Sequence, residues 1–411
     1  MAALPPLPRP ATTRLAVRLT PDALRRVRGG HPWVFADSIT SVSRDGAPGD
    51  LVVVFGPDRA FAAIGLWDPA SPIRIKVLHQ GKPVTVDRAF WVARLAAALA
   101  VRQPLLAAGD TTGYRVINGE NDGFPGLVLD AYDRTLVLKL YSAAWVPHLA
   151  DVLPAVEAAL RPSAVVLRLA RQLDPADLHG LEEGDALVGV PPDGPVLFHE
   201  RGLVFEADVV RGQKTGHFLD QRDNRALAGA LAAGGRVLDV FASTGGFTVH
   251  AAAGGATEVM AVDLSAPTLA VAERNVAHNA HRPEVAACRV RPVVADAFDE
   301  MERLGRRGER FDLVVVDPPS FAQRQQQVPR ALAAYARLTE LAVRLVRPGG
   351  ALLQCSCSSR VGADQFHAGV ARAAARAGRP LTELRRTAHA VDHPVTFPEG
   401  AYLKAVLADV P

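Results

Sequence analysis

Three short motifs in this 411-residue chain combine residue types that chemistry needs. The first, Val314-Val315-Val316-Asp317-Pro318-Pro319-Ser320-Phe321, ends an apolar run in an acid and two prolines. Each proline fixes its own φ and restricts the residue before it, so the segment forms a rigid, extended rim. Such a rim can hold a flipped planar base through backbone carbonyls, the Asp317 carboxyl and an aromatic face, which makes Pro318, Pro319 and Phe321 candidate substrate contacts. The second motif, Leu352-Leu353-Gln354-Cys355-Ser356-Cys357-Ser358-Ser359, ends another apolar run in two thiols. A thiol here would face a base held at Asp317. Thiolate addition at C6 of cytosine makes an enamine whose C5 can attack a methyl sulfonium. Loss of the C5 proton and of the thiolate then restores the ring. Asp317 could bind the N3/N4 edge and favour the protonated, activated ring.

The third motif is Val237-Leu238-Asp239-Val240-Phe241-Ala242-Ser243-Thr244-Gly245-Gly246-Phe247. An apolar strand runs into a Gly-rich turn and then a helix, which lets a ligand approach the backbone where no Cβ blocks it. Open α/β sheets bind nucleotides at such strand ends. A second strand, Val259-Met260-Ala261-Val262-Asp263, ends in an acid 24 residues after Asp239, suited to both ribose hydroxyls. A third reaches Asp296, near an adenine edge. The G-x-G-x-x-G spacing of a pyrophosphate site is absent, and Asp239 suits a sulfonium ligand with an amino group better than a pyrophosphate. S-adenosylmethionine is therefore the expected cofactor, with Asp239, Phe241, Ser243, Gly245, Gly246, Phe247, Asp263 and Asp296 as its candidate contacts.

The elements that must position these motifs can be read coarsely. Largely apolar strands are predicted at 236–241, 258–263, 289–294, 312–316 and 351–354, with helices at 247–253, 267–280 and 330–345. Continuous apolar strands imply a sheet covered on both faces, hence a doubly wound parallel core over residues 196–411. A Gly-, Pro- and acid-rich stretch, 182–195, reads as a linker. Before it, residues 83–195 read as a central α/β domain: a helix at 90–102, a meander of strands at 114–118, 127–132 and 135–141, a helix at 145–160 and a strand at 164–169. Residues 1–82 read as a small β-barrel with strands at 14–19, 51–55, 61–67 and 73–78 and one helix at 22–28.

Composition narrows the classes. Apolar residues make up 49% and charged residues 22%, which argues against wholesale disorder. Net charge is only +3, which excludes a uniformly basic nucleic-acid binder, but residues 1–82 carry 11 basic and 6 acidic side chains. That segment is the candidate electrostatic footprint. Three cysteines, Cys288, Cys355 and Cys357, make no disulfide framework, so a reducing compartment is expected. Their spacing does not suit zinc, and no metal is expected. No signal peptide and no membrane span are expected, so the chain reads as cytoplasmic. An i,i+2 pair such as Cys355 and Cys357 shares one face of a regular strand. Cys288 lies outside the crevice and reads as inert.

Together these motifs resemble the bacterial large-subunit rRNA cytosine-5 methyltransferases of the RlmI type. Four further segments carry the likeness: Gly30-His31-Pro32-Trp33-Val34-Phe35, Asp122-Gly123-Phe124-Pro125-Gly126-Leu127, Lys214 to Arg222, and His393-Pro394 with Phe397-Pro398-Glu399-Gly400 and Tyr402-Leu403-Lys404. The resemblance implies a PUA-type RNA-binding barrel, a central α/β domain and a Rossmann-like class I methyltransferase domain. It implies formation of 5-methylcytosine in 23S rRNA, with Cys357 carried over as nucleophile, and a homodimer. Gln221 is expected at the cofactor and Arg222 at the substrate. Other RNA cytosine-5 methyltransferases have a second Cys in the Asp-Pro-Pro-type motif, where Ser320 stands here. Three readings compete. An exocyclic-amine methyltransferase would use Asp317-Pro318-Pro319 without a thiol. A ribosome-assembly factor would bind the cofactor without turnover. A small-molecule methyltransferase would leave the basic N-terminal segment unexplained.

Overall fold

A computed structural model describes residues 6–212 and 215–411, so Lys214 lies outside the described residues. They divide into two compact units, each containing more than one stretch of chain. Unit 1 comprises residues 6–198, 207–212, 215–217 and 391–397, and unit 2 comprises 199–206, 218–390 and 398–411.

In unit 1 the first sheet has strands β1 (Leu15–Leu19), β2 (Trp33–Phe35), β3 (Ile39–Val42), β4 (Leu51–Phe55), β5 (Phe61–Trp67) and β6 (Ile73–Gln80). Helix α1 (Pro21–Arg28) follows β1, capped by the Thr20 side chain. The strand order is β2-β6-β5-β4-β1-β3, so β2 and β3 are the two edges. Only the turn Ala36–Ser38 separates them along the chain. In a flat sheet five inter-strand steps would hold the edges roughly 24 Å apart. Four Cα steps reach at most roughly 14 Å. The sheet must therefore curl, as a barrel does. β2 and β3 were not read from sequence because they are three and four residues long.

The second sheet of unit 1 contains β7 (Gly113–Asn118), β8 (Leu127–Tyr132), β9 (Thr135–Leu140), β10 (Ala164–Leu169) and β11 (Ala186–Gly189) in the order β11-β10-β9-β8-β7. The expected meander is β7-β8-β9, antiparallel throughout. Helices α2 (Arg88–Leu106) and α3 (Leu149–Leu160) accompany it. The stretch 182–195 is not a plain linker, because β11 lies within it and pairs with β10. Its Glu183 carboxylate accepts from the Arg168 guanidinium and from the Leu169 amide, so that acid is structural.

The division into 1–82 and 83–195 does not separate two cores. Leu51, Val53, Ile64 and Leu66 of the first sheet share one apolar cluster with Trp91, Leu95, Leu129 and Trp145. Buried Asp68 accepts from Lys76 at 2.7 Å and from Ser142 at 2.6 Å, joining the two sheets. Helix α2 is long and apolar enough to cross a membrane by length and composition. Its buried residues Trp91, Leu95, Ala98 and Arg102 instead face unit 1, and Arg94 donates to the carbonyls of Leu78 and Gly123.

The chain passes between the units within the hairpin β12 (Val196–Glu200) and β13 (Leu203–Ala207). Unit 2 is built on β14 (Arg236–Val240), β15 (Glu258–Asp263), β16 (Arg289–Val294), β17 (Phe311–Val316), β18 (Val346–Ser356), β19 (Thr382–Thr387) and β20 (Lys404–Val410). The order is β16-β15-β14-β17-β18-β20-β19. The first five strands are parallel, as predicted, while β20 runs antiparallel between β18 and β19. The helices are α4 (Arg222–Leu231), α5 (Gly246–Ala253), α6 (Ala266–His278), α7 (Pro283–Ala287), α8 (Ala297–Arg306), α9 (Val328–Leu345) and α10 (Ala363–Arg376).

Strand periodicity explains the two-faced core. Leu238, Val240, Val314, Val316 and Leu352 enter one apolar cluster. Their neighbours Val237, Leu313, Val315, Leu353 and Cys355 enter another. The strand order reverses at β14, which places the topological switch point between β14 and β17.

Candidate methyl-transfer site

The site lies at the carboxyl ends of β14, β15, β17 and β18, within unit 2. On the β14 side Asp239 is fully buried. Its Oδ2 accepts from the Thr248 hydroxyl of α5 at 2.7 Å, and its Oδ1 has no hydrogen-bond partner. Burial raises its pKa to about 6. A buried acceptor left open at a strand end suits the amino group of the expected cofactor, because burial without a partner is costly.

The turn after β14 is strained. Phe241 and Ser243 have φ of 66° and 49°, unusual for residues with a Cβ. The Ser243 amide donates to Asp263 Oδ2 at 2.9 Å, while Asp263 Oδ1 accepts from the Ser265 amide at 2.9 Å. A carboxylate has about four acceptor sites, so Asp263 retains capacity for ribose hydroxyls. Asp296 is exposed and caps α8 by accepting from the Phe298 and Asp299 amides.

The glycines serve packing as much as ligand approach. A Cβ on Gly245, at φ 77°, would lie 2.6 Å from Ala272 Cβ, and one on Gly246 would lie 2.6 Å from Arg225 Cδ. Arg225 is held in turn by buried Glu200, at 2.5 Å. Burial alone would raise the Glu200 pKa, but Arg225 and His250 outweigh it and hold the carboxyl well below its usual range. Phe247 corrects a sequence expectation. Its ring is buried in the cluster with Val237 and Ala251, so its role is in the core.

On the β17 side the Asp317 amide donates to Val240 O at 3.3 Å, which ties the two strand ends together. Asp317 Oδ1 accepts from Gln221 Nε2 at 2.7 Å, and Gln221 Oε1 accepts from Asn224 at 2.5 Å. Gln221, assigned above to the cofactor, thus orients Asp317. Burial, then the neighbouring Asp220, raises the Asp317 pKa to about 7. Near neutral pH this carboxyl is substantially protonated and can donate as well as accept. Arg222 is fully buried and could not meet a substrate without displacement, which argues against its assigned contact.

Cys357 follows the end of β18, partly exposed, with Sγ 3.7 Å from Pro318 O. Nucleophile candidate and proline rim therefore meet as predicted. Cys355 and Cys357 are not equivalent: β18 stops at Ser356, Cys355 is fully buried, and burial, then the neighbouring Asp317, pushes its pKa well above the ordinary value. Cys288 precedes β16, away from the carboxyl ends, and burial pushes its pKa up to about 11. Pro318 is buried and Pro319 exposed. The half-buried Phe321 ring lies 5.1 Å from that of Tyr335, centroid to centroid.

Several residues were missed. Ser358 Oγ accepts from the Phe321 amide at 3.1 Å and lies 2.8 Å from Tyr335 Oη. Ser320 Oγ lies 3.3 Å from Ser358 Oγ, so the serine after the prolines braces the loop. Tyr402 Oη donates to Asp220 at 2.9 Å, and Lys404 Nζ donates to Ser358 O at 2.5 Å. Tyr402 and Lys404 lie in the quoted C-terminal segment, whose signal was likeness alone. Tyr335, at a helical apolar position, gave none.

Comparison with known proteins gives the family and the fold. The S-adenosylmethionine-dependent methyltransferase family model matches residues 185–408, and a PUA-like domain model matches 17–80. A ribosomal RNA large subunit methyltransferase from Deinococcus radiodurans is 47% identical over 405 residues, covering 97% of this chain and 98% of that protein. The ribosomal RNA large subunit methyltransferase I of Shewanella amazonensis is 35% identical over 399 residues, covering 96% and 99%. The chain belongs to the ribosomal RNA large subunit methyltransferase I family. It is an S-adenosylmethionine-dependent methyltransferase, and S-adenosylmethionine is its cofactor. The fold is shared with a candidate methyltransferase from Streptococcus mutans, at TM-score 0.80, 19% identity and coverage of 96% and 100%. A second such structure, complexed with SAH, gives TM-score 0.81, 21% identity and coverage of 97% and 100%. In this methyltransferase both quoted family segments cross the unit boundary. Thr215 and His217 bond Asp130 and Tyr132 in unit 1, whereas Phe218 onward belongs to unit 2. Pro394 and Phe397 meet Asn118 and Trp33 in unit 1, whereas residues from 398 onward belong to unit 2.

Proposed function

We propose that this methyltransferase forms 5-methylcytosine in 23S rRNA through a covalent Cys357 adduct. The observation that carries this reading is the partly exposed Cys357 thiol against the Pro318 carbonyl, beside a carboxyl that can hold a proton. Bound S-adenosylmethionine supplies the methyl group on a sulfonium. Asp239 would hold its amino group and Asp263 its ribose. Cys357 adds to C6 of the cytosine and leaves again when the C5 proton has gone. Asp317, oriented by Gln221, donates to N3 as electron density rises in the ring. An amine methyltransferase would need the rim and no thiol, so Cys357 separates the two chemistries.

An RNA substrate is supported by the relatives' names and by the first sheet. Arg18, Arg25 and Arg28 line a groove of about 400 Å³ beside Phe55, with Arg25 paired to Asp22 at 2.6 Å. Phosphate contacts of this kind position RNA while the flipped base is read elsewhere. A cytoplasmic location belongs to the same reading, supported by three free cysteines, and so does a homodimer, which a sedimentation mass would test.

The test uses labelled S-adenosylmethionine, unmodified large-subunit rRNA, wild type and Cys357→Ala, followed by digestion to nucleosides. Label in 5-methylcytidine that disappears in the variant is expected. Label in an N-methylated base that survives the variant would overturn the reading.

A further inference from the structure

Lys404 has no evident reason to be where it is. It is 3% exposed at the start of β20, opposite Ser356 in the β18 ladder. Lysine is almost never buried unless paired. Yet no carboxylate lies within ion-pair distance of it among the described residues. Its ammonium donates to two carbonyls, Ser358 O at 2.5 Å and Tyr402 O at 3.0 Å. An ammonium has three donors, so one remains. Ladder partner Ser356 and hydrogen-bond partner Ser358 bracket Cys357 on both sides. Titratable groups near the thiol among the described residues include Cys355 on β18, Asp317 at the end of β17 and Tyr335 on α9.

We propose that Lys404 is a positioning residue whose buried ammonium stabilises the Cys357 thiolate and fixes the backbone that carries it. The bond to Ser358 O anchors the residue after the nucleophile and holds the ammonium one residue along the backbone from the thiol, and among the described residues no carboxylate pairs with it. A negative sulfur is the natural counter-charge for such a cation. Burial lowers the Lys404 pKa to about 8, and its interaction with Cys357 works the other way, so the two charges support each other. Burial raises the pKa of Asp317 and of Tyr335, so neither contributes full negative charge near neutral pH to oppose the thiolate. This role rests on Cys357 being the nucleophile.

The test needs no RNA. The rate of Cys357 alkylation by iodoacetamide is followed against pH, and the modified peptide is identified by mass. Cys288 falls on a separate peptide, and buried Cys355, which shares a peptide with Cys357, is distinguished from it by fragment ions. In wild type the midpoint is expected below the free-thiol value of ~8.5. Lys404→Met should move it up by about one pH unit, slowing the reaction about tenfold at pH 7 while leaving the high-pH plateau unchanged. Lys404→Arg, which keeps the charge, should restore the low midpoint. A wild-type midpoint at or above ~8.5 would overturn the proposal even if both variants failed to fold. So would a Lys404→Met profile that superimposes on wild type. Failure of the nucleophile reading would appear separately, as 5-methylcytidine formation by Cys357→Ala.

Discussion

Unit 1 buries its acids against cations. Arg102 meets Asp122 at 2.6 Å, Arg115 meets Asp130 at 2.8 Å and Lys76 meets Asp68 at 2.7 Å, each carboxylate nearly or wholly buried. At the strand ends of unit 2, Asp239 and Asp317 have only the neutral partners Thr248 and Gln221. Unit 2 can pair buried charge where it needs to, as Glu200 and Arg225 show. The unpaired acids are therefore a property of the site. A scaffold satisfies its own charges, whereas a working site keeps acceptors and protons available for what it binds. The raised pKa values of Asp239 and Asp317 express that difference.

The largest effect is expected at the thiol. Cys357→Ala should abolish methyl transfer while leaving cofactor affinity unchanged, measured by turnover and by calorimetry. Next comes the scaffold. Arg102→Ala leaves the buried Asp122 carboxylate without its cation and should cost about 3–5 kcal/mol, read from denaturant unfolding. Asp239→Asn removes a charge whose only partner is the neutral Thr248 hydroxyl. Cofactor affinity should fall about 10–100-fold, with little change in unfolding midpoint. In wild type, affinity should also fall as pH drops through about 6, where Asp239 takes up a proton.

Asp317→Asn sharpens the comparison through pH. The folded pKa of Asp317 lies near 7, above the unfolded value, so the folded state holds the proton more tightly. The stability this contributes is complete below the unfolded pKa of ~3.9 and is lost as pH rises through about 7. Asp317→Asn should therefore be more stable than wild type at pH 8, with the advantage vanishing near pH 4. The smallest effect is expected at the groove beside the first sheet. Arg28→Gln should lower the slope of log RNA affinity against log salt by about 1 without altering the product.

Much of unit 2 could be read directly because its central strands are continuous apolar runs. Glu258–Asp263 and Arg289–Val294 match their predicted bounds. Asp239, Asp263, Asp317 and Cys357 were legible because each stands where such a run ends. Phe247 misled because an aromatic after two glycines looks like a ligand contact, whereas helical phase turns it into the core. Strand β11 was hidden by its shortness and by the acids before it, of which Glu183 is paired by Arg168 only once the sheet has formed. Lys404 and Tyr335 acquire meaning through contacts with Ser356 and Ser358 that are dozens of residues distant, and no local pattern announces them.

Trapping the adduct tests the account most directly. An rRNA fragment carrying 5-fluorocytidine is incubated with enzyme and S-adenosylmethionine, and the digested complex is analysed by mass. Fluorine at C5 cannot leave as a proton does, so the ring should remain bound to Cys357 with the methyl group in place. A methylated fragment with no adduct, and with the label on the exocyclic nitrogen, would contradict the account.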